Sequence, residues 1–360
     1  MEAVAEFFTH NDTGWFSVDW YVGRRCNFDC TYCPTYLHDN YSKHVTYDNM
    51  KKFVDIITEK HGTNVSWSLS GGEPTVNPDF MKICHYIKHE VGCKHISLTT
   101  NGSRKYEYFE KLFENLDNIT LSLHLEYVGK RVDEYIEKAT KLYHWAEEQT
   151  AKGNEKSIIT RFMVWPKHFD TIIKMEEAFK KANVRNIEYR VIRYPHGNNE
   201  RKENGELTYS NDKEFEKLKA LQDKLYSEEE KEIIKTKFSK ENKKKLKFLY
   251  KENDKIIEKR YHYNQLNFER MNNFKGWMCY GGAKAIKIDP SGDIYIGNCH
   301  VGGSHGNLYK PETIKLPSDP VVCPKNRCTD NTDLKVPKIK DKSYLHLVKD
   351  LVKEHRNDKR

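Results

Sequence analysis

The stretch Arg25 to Pro34, R-C-N-F-D-C-T-Y-C-P, places three thiols, Cys26, Cys30 and Cys33, within eight residues. A loop this short can turn three sulfurs toward one point. Such a soft-ligand set selects zinc or an iron–sulfur cluster over hard cations. The count matters. A structural zinc ion wants four protein ligands, and this run offers three. A four-iron cluster held by three thiolates keeps one iron open to a further ligand.

Immediately before the loop, Trp15 to Val22 is rich in aromatic and β-branched residues and reads as a strand. After it, Thr46 reads as a helix N-cap, with Met50, Phe53, Val54 and Ile57 at helical spacing and Gly62 as the stop. Val65 to Leu69 is a second strand, ending in Gly71-Gly72-Glu73-Pro74. Asn77-Pro78 opens a helix that Gly92 closes, and Ile96 to Thr100 is a third strand, ending in Asn101-Gly102. Helices at Tyr108–Leu116, Val132–Ala151 and Phe169–Ala182 then alternate with strands at Ile119–Leu125, Ile158–Trp165 and Ile187–Ile192. Six β-α units with short links imply a parallel sheet with right-handed crossovers, open or curled toward a barrel. Ligands of either arrangement bind at the C-terminal ends of the strands. The Cys loop, the G-G-E-P turn and Asn101 all fall there.

Beyond Tyr194 the alternation breaks. Pro195 to Asn211 is turn-rich, and Lys213 to about Lys259 is highly charged and mostly helical in propensity, with weak stripes at Phe215, Leu218, Leu221, Leu246, Leu249 and Tyr250. The expected organisation is a core over 1–195, a charged helical bridge over 196–275, a small Cys-containing unit over 276–335 and a basic helix or tail over 336–360. In the third of these, Ile286 to Ile288 and Ile294 to Ile296 flank the turn Asp289-Pro290-Ser291-Gly292 and form a hairpin. The chain is polar, 37% hydrophobic and 32% charged, but its 22 Tyr and 16 Phe supply core material. Of a net charge of +8, residues 231–260 carry +7, from twelve Lys/Arg against five Asp/Glu. That segment reads as a solvated helical face, or as a patch for an acidic partner such as nucleic acid. No apolar run is long enough to span a membrane, and the start, M-E-A-V-A-E-F-F, lacks a basic n-region, so a cytoplasmic location is expected. Nine Cys without a secretion signal favour metal binding over disulfides.

The C-x3-C-x2-C spacing, with Tyr32 before the last Cys and G-G-E-P after the second strand, resembles the signature of the radical S-adenosylmethionine (radical SAM) superfamily. The resemblance covers about residues 15–195 and 277–330. It implies an α/β fold built as a partial (β/α)6 TIM-type barrel, in which Cys26, Cys30 and Cys33 ligate a 4Fe–4S cluster and SAM chelates the open iron. It implies SAM contacts at Tyr32, at Gly71, Gly72, Glu73 and Pro74, at Thr100 and Asn101, at Ser122, and at Lys130 or Arg131 for the carboxylate. His124 stands where many relatives carry an acid.

The run from Cys279 to Cys299, followed by Cys323 and Cys328, resembles the twitch or SPASM extension of that superfamily. Four thiols imply one auxiliary 4Fe–4S cluster, with a four-Cys zinc site as the alternative. Cys84 lies on an apolar helical stripe and reads as core, and Cys93 is left over.

The implied activity is reductive cleavage of SAM to a 5′-deoxyadenosyl radical that abstracts hydrogen from a peptide or small-molecule substrate, with flavodoxin or ferredoxin as electron donor. Two alternatives stand beside it. One is the same chemistry on a nucleotide or nucleic acid. The other is a zinc-stabilised binding protein.

Overall fold

The structure is a computed structural model describing residues 2–8, 15–33, 37–192, 224–238, 246–253, 255–328 and 330–349. The turn-rich stretch Pro195 to Asn211, the stripe at Phe215, Leu218 and Leu221, and the tail beyond 349 lie outside the described residues, as does Pro34.

The β-α alternation read from the sequence is present. Parallel strands β2 (Phe16–Tyr21), β3 (Val65–Ser70), β4 (His95–Thr100), β5 (Asn118–Leu123), β6 (Ser157–Val164) and β7 (Ile187–Val191) lie side by side in chain order. The helices between them are α1 (Tyr47–His61), α2 (Phe80–His85), α3 (Tyr106–Phe113), the short α4 (Leu125–Val128), α5 (Val132–Ala151) and α6 (Phe169–Lys181). Each strand alternates, so one face turns Trp20, Trp67, Leu98 and Phe162 into a core shared with helix residues such as Phe53, Ile83, Leu112 and Phe179. The opposite face is polar and lines the cavity described below. The sheet ends at β7 without closing on itself, so the barrel is partial.

The C-terminal hairpin is not a separate unit. Strand β11 (Ala285–Ile288) pairs parallel with β2, and β12 (Ile294–Tyr295) pairs antiparallel with β11, extending the sheet to eight strands. Ile286, Ile288 and Ile294 join the main core, which explains why this hairpin needs no core of its own.

A second, antiparallel sheet corrects two expectations. Its order is Val321–Val322 (β13), Met278–Cys279 (β10), Lys338–Ile339 (β14), Glu2–Phe8 (β1), Leu246–Glu252 (β8) and Lys255–Tyr261 (β9). The first strand of the chain is β1 (Glu2–Phe8), ahead of the strand read at Trp15. A register shift between Ala3 and Ala5 breaks its period-2 pattern, which hides it in the sequence. The charged bridge is not helical throughout: β8 (Leu246–Glu252) and β9 (Lys255–Tyr261) form a hairpin against β1. Lysine-rich composition favours helix only weakly, and burial of Leu246 and Phe248 on a paired strand overrides it. Asn253, at φ 47°, supplies the turn. Helical structure remains at Glu228–Ile233, continuing to Phe238, whose ring stacks on Tyr189 at 4.3 Å.

Within the basic segment, Lys237 pairs with the buried Glu176 at 2.8 Å, and Lys247 and Arg260 both pair with Glu258. The remaining strands are β10 (Met278–Cys279), β13 (Val321–Val322) and β14 (Lys338–Ile339). In the region expected to be a basic helix or tail, the described residues form β14 and one tight helical segment at Lys342–Leu347, and residues 350–360 lie outside the described residues. Pro337 precedes that strand and disfavours helix at Val336.

Candidate active site

A cavity of about 430 Å3 opens at the C-terminal ends of the parallel strands. Cys26, Cys30 and Cys33 line it together with Tyr32, Gly71, Gly72, Thr100, Asn101 and Ser122. Residues spread over about 100 positions of sequence thus meet at one place, because each follows or ends a neighbouring strand.

The Cys loop is held at both ends. Its entry is pinned where the Cys26 N–H donates to the Asp39 carbonyl at 2.7 Å, and the Cys33 N–H donates to the Cys30 carbonyl at 2.9 Å. The G-G-E-P turn docks directly beneath it: the Gly72 N–H donates to the Gly23 carbonyl (2.8 Å) and the Glu73 N–H to the Arg25 carbonyl (2.9 Å). This contact explains both glycines. A Cβ on Gly71, at φ 134°, would lie 2.5 Å from the Gly23 oxygen, and one on Gly72 would lie 2.3 Å from the Arg24 oxygen.

Glu73 takes a different place from the one expected of a SAM contact. Its carboxylate is 2% exposed and accepts four hydrogen bonds: from the Thr75 N–H and hydroxyl (3.0 and 2.5 Å), the Thr100 hydroxyl (2.7 Å) and the Asn101 N–H (2.6 Å). It ties the end of β4 to the turn. Asn101, so placed, points its amide to Asn27 Oδ1 at 2.9 Å and approaches Cys26 Sγ at 4.0 Å. Pro74 is buried in the turn, and neither it nor Glu73 lines the cavity. Arg131 is exposed and outside the cavity lining, and the side chain of Lys130 lies outside the described residues.

The three thiols fit an iron–sulfur cluster. They share one cavity wall, and Cys26 Sγ already accepts the Phe28 N–H at 3.3 Å, the kind of bond that stabilises a cluster thiolate. Burial pushes the pKa values of Cys30 and Cys33 up to about 12, aided by mutual repulsion with neighbouring thiols of the loop. Iron held there would offset such repulsion with its positive charge and so keep the sulfurs as thiolates.

Tyr32 stacks on His124 (centroids 5.9 Å, 11°), and its hydroxyl meets His124 Nδ1 at 2.8 Å. The same nitrogen is 3.3 Å from Cys30 Sγ. Burial, with a smaller push from Arg161, lowers the pKa of His124 to about 4, so the imidazole at this position is neutral.

The far wall of the cavity was not anticipated from sequence. It is the polar face of the sheet. In strand register Lys287, Asp19 and Ser68 form one row, and Ser122, Arg161 and Glu188 another. Arg161 pairs with Glu188 at 3.0 Å, and Arg190 with Asp330 at 3.8 Å. Asn298 donates to Asp19 at 2.8 Å, and burial together with the charge of Asp330 raises the Asp19 pKa to about 6. Polar residues at every second strand position (Ser17, Asp19; Ser68, Ser70; Glu188, Arg190) were the available signal.

The family model of the radical SAM superfamily matches residues 20–204, half of the chain, from the end of β2 through β7. The chain belongs to the radical SAM superfamily. Membership brings SAM and a 4Fe–4S cluster as cofactors and makes the chain an enzyme of that type, its reaction unspecified.

Among curated relatives, a GTP 3′,8-cyclase of Actinobacillus succinogenes is 37% identical over 82 residues, 22% of this chain and 24% of the cyclase. A probable GTP 3′,8-cyclase of Sulfurisphaera tokodaii is 35% identical over 100 residues, 28% of this chain and 31% of its own. The chain thus aligns to about a quarter to a third of these relatives' length. Among solved structures, native anSMEcpe with bound AdoMet is 16% identical, with 81% of this chain and 77% of that one covered and a TM-score of 0.47. Streptococcus suis SuiB bound to precursor peptide SuiA is 14% identical, with 83% and 64% covered and a TM-score of 0.46. Likeness at that level says nothing of substrate.

The four C-terminal Cys also come together. Cys279 lies on β10, Cys299 follows β12, Cys323 follows β13, and the Cys328 N–H donates to the Asn272 carbonyl at 2.9 Å. Burial raises all four pKa values, that of Cys279 to about 11, and each of Cys279, Cys299 and Cys328 feels the charge of at least one of the others. Among the described residues, no three His, Cys, Asp or Glu are closed onto a single-ion geometry. Cys84 is core, as read, and Cys93 is buried and accepts the Trp67 indole N–H at 3.4 Å. Among the described residues no helix is long and apolar enough to cross a membrane.

Proposed function

We propose that this protein is a radical SAM enzyme acting on a peptide or an amino-acid-like small molecule. One observation carries the reading: the three loop thiols, the Gly71-Gly72 turn, Asn101 and Ser122 line the same cavity as an array of paired charges. Cys26, Cys30 and Cys33 would hold the SAM-binding cluster, and Tyr32, the Gly71-Gly72 turn, Asn101 and Ser122 would hold SAM. Cys279, Cys299, Cys323 and Cys328 would hold one auxiliary 4Fe–4S cluster. The chemistry these groups supply when bound is reductive cleavage of SAM to a 5′-deoxyadenosyl radical, which takes a hydrogen atom from a substrate carbon. The chain's own part is to orient that carbon and exclude water.

The charge pattern supports the substrate class. Asp19 beside Lys287, Arg161 with Glu188 and Arg190 with Asp330 offer both signs at short range, which suits a molecule bearing an ammonium, a carboxylate and amides. A nucleotide is the second reading, favoured by the likeness of part of the chain to GTP 3′,8-cyclases. Against it, both cavity arginines are already paired with carboxylates, which weakens the field a triphosphate needs.

The experiment is anaerobic reconstitution followed by reduction with dithionite or a flavodoxin or ferredoxin system in the presence of SAM. Release of 5′-deoxyadenosine is expected; a fully iron-loaded protein that releases none would refute the activity. Deuterium transfer from labelled peptides or amino acids into 5′-deoxyadenosine tests the substrate class. Transfer from labelled nucleotides alone would establish the second reading instead.

A further inference from the structure

Strand β14 carries Lys338 in direct register with Cys279 of β10 on one side and with Glu6 of β1 on the other. Residues directly opposed on antiparallel strands project from the same face. Cys279, Lys338 and Glu6 therefore form one row across three strands. The two charged members are buried, Lys338 at 2% exposure and Glu6 at 0%. The ammonium donates to Glu6 Oε2 at 3.0 Å, to the Asp333 carbonyl at 2.7 Å and to the Val336 carbonyl at 2.8 Å, so its three N–H groups are fixed. Its surroundings are otherwise apolar: the ammonium lies 5.0 Å from the centre of the Phe274 ring, and Phe248, Phe274 and Leu334 build the core on this face of the sheet.

A buried ion pair is a poor way to stabilise such a core, because an apolar pair of similar volume packs at least as well. Neither Lys338 nor Glu6 lines the SAM cavity, so the pair has no evident part in binding there. What Lys338 does face is sulfur. Its charge acts on Cys279, Cys323 and Cys328, thiols of the C-terminal set. Asp333 lies on the same side, accepting the Cys299 N–H at 2.7 Å, and adds an opposing negative charge.

We infer that Lys338 sets the reduction potential of the auxiliary cluster, with Glu6 of the N-terminal strand holding the ammonium in place and partly balancing its charge. The inference rests on the reading that Cys279, Cys299, Cys323 and Cys328 bind a 4Fe–4S cluster. With four thiolates, such a cluster carries two negative charges when oxidised and three when reduced by one electron, with no proton or bond exchanged. A fixed, buried cation favours the more negative state and raises the potential; a nearby carboxylate lowers it. Lys338 is on this account a positioning and tuning residue, distant from the reacting carbon. It also gives β1 a role: the first strand of the chain delivers the counter-charge to a site built by the last strands.

The test is a redox titration of the reconstituted full-length enzyme, followed by electron paramagnetic resonance, with iron counted in every variant. The signal that changes on addition of SAM marks the Cys26/Cys30/Cys33 cluster, and the other signal is read. Lys338→Met should lower its midpoint by at least the 59 mV that corresponds to a tenfold change in a one-electron equilibrium. Glu6→Gln should raise it. The double variant Lys338→Met/Glu6→Gln removes both charges without leaving either buried alone, and should keep its iron with a midpoint between those of the single variants. A merely structural pair would change iron content and leave the midpoint where it is. If Lys338→Met does not fold, the Glu6→Gln and double variants decide. Retention of the auxiliary iron with an unchanged midpoint overturns the inference alone. A wild-type protein that holds only the SAM-responsive cluster overturns the auxiliary-cluster reading, and the inference with it.

Discussion

Glu73→Gln separates two roles for the acid of the G-G-E-P turn. A side chain that serves only to meet SAM can be changed at little expense to the empty protein. The structure assigns Glu73 a bracing role instead. Its Oε1 accepts from the Thr75 N–H, the Thr75 hydroxyl and the Thr100 hydroxyl, and its Oε2 accepts from the Asn101 N–H. In glutamine one of those oxygens becomes an NH2 donor. The less damaging orientation keeps the carbonyl toward the three donors and sets NH2 against the Asn101 N–H, donor to donor at a contact of 2.6 Å. That forfeits one charge-assisted bond, about 1.5–3 kcal/mol, and leaves a buried N–H unsatisfied, about 1–3 kcal/mol. Burial raises the Glu73 pKa, so removing the charge returns some desolvation energy and offsets part of the loss. The expected net cost is roughly 2–4 kcal/mol. Chemical denaturation of the cluster-free, SAM-free protein, followed by tryptophan fluorescence, measures it as a fall in the midpoint at constant slope. A change below about 0.5 kcal/mol with a large loss of SAM affinity would refute the bracing role.

Three further outcomes are expected. Gly72→Ala, whose Cβ would lie 2.3 Å from the Arg24 oxygen, should push the Cys loop off the turn and destabilise by at least about 1–3 kcal/mol, with loss of cluster iron; full iron content and unchanged stability would count against it. Replacing Cys26, Cys30 and Cys33 together with Ala should abolish SAM cleavage and remove one cluster, leaving the iron of the C-terminal set, as iron counting will show. Asp19, with its pKa raised from 3.8 to about 6, binds a proton more readily folded than unfolded. Its contribution is therefore present below about pH 4 and lost as pH rises toward 6, and Asp19→Asn should flatten that part of the stability–pH curve by at most about 3 kcal/mol. An unaltered curve would show that Asp19 does not titrate there.

Local information in this chain is strong where strands and helices alternate. Apolar residues at period two or at helical spacing placed the six parallel strands and the helices between them within a few residues, and the order of those elements brought the Cys loop, the Gly71-Gly72 turn, Asn101 and Ser122 to one end of a sheet. The sequence by itself therefore determined the parallel core, the cavity's position and the thiols that line it, because each depends on neighbours close in the chain. The tertiary structure decided what depends on partners far away. Strand β1 carries a broken alternation and exists because Leu246–Glu252 and Lys338–Ile339 pair with it. The lysine-rich segment becomes a hairpin because Leu246, Phe248 and Tyr250 of β8 and Tyr261 of β9 find a core that no local propensity can indicate. Glu73 reads as a cofactor contact until the strand end it ties, 28 residues away, is seen beside it. The row Cys279–Lys338–Glu6 joins residues from both ends of the chain, and only pairing across three strands makes a lone lysine and a lone glutamate into neighbours of a thiol.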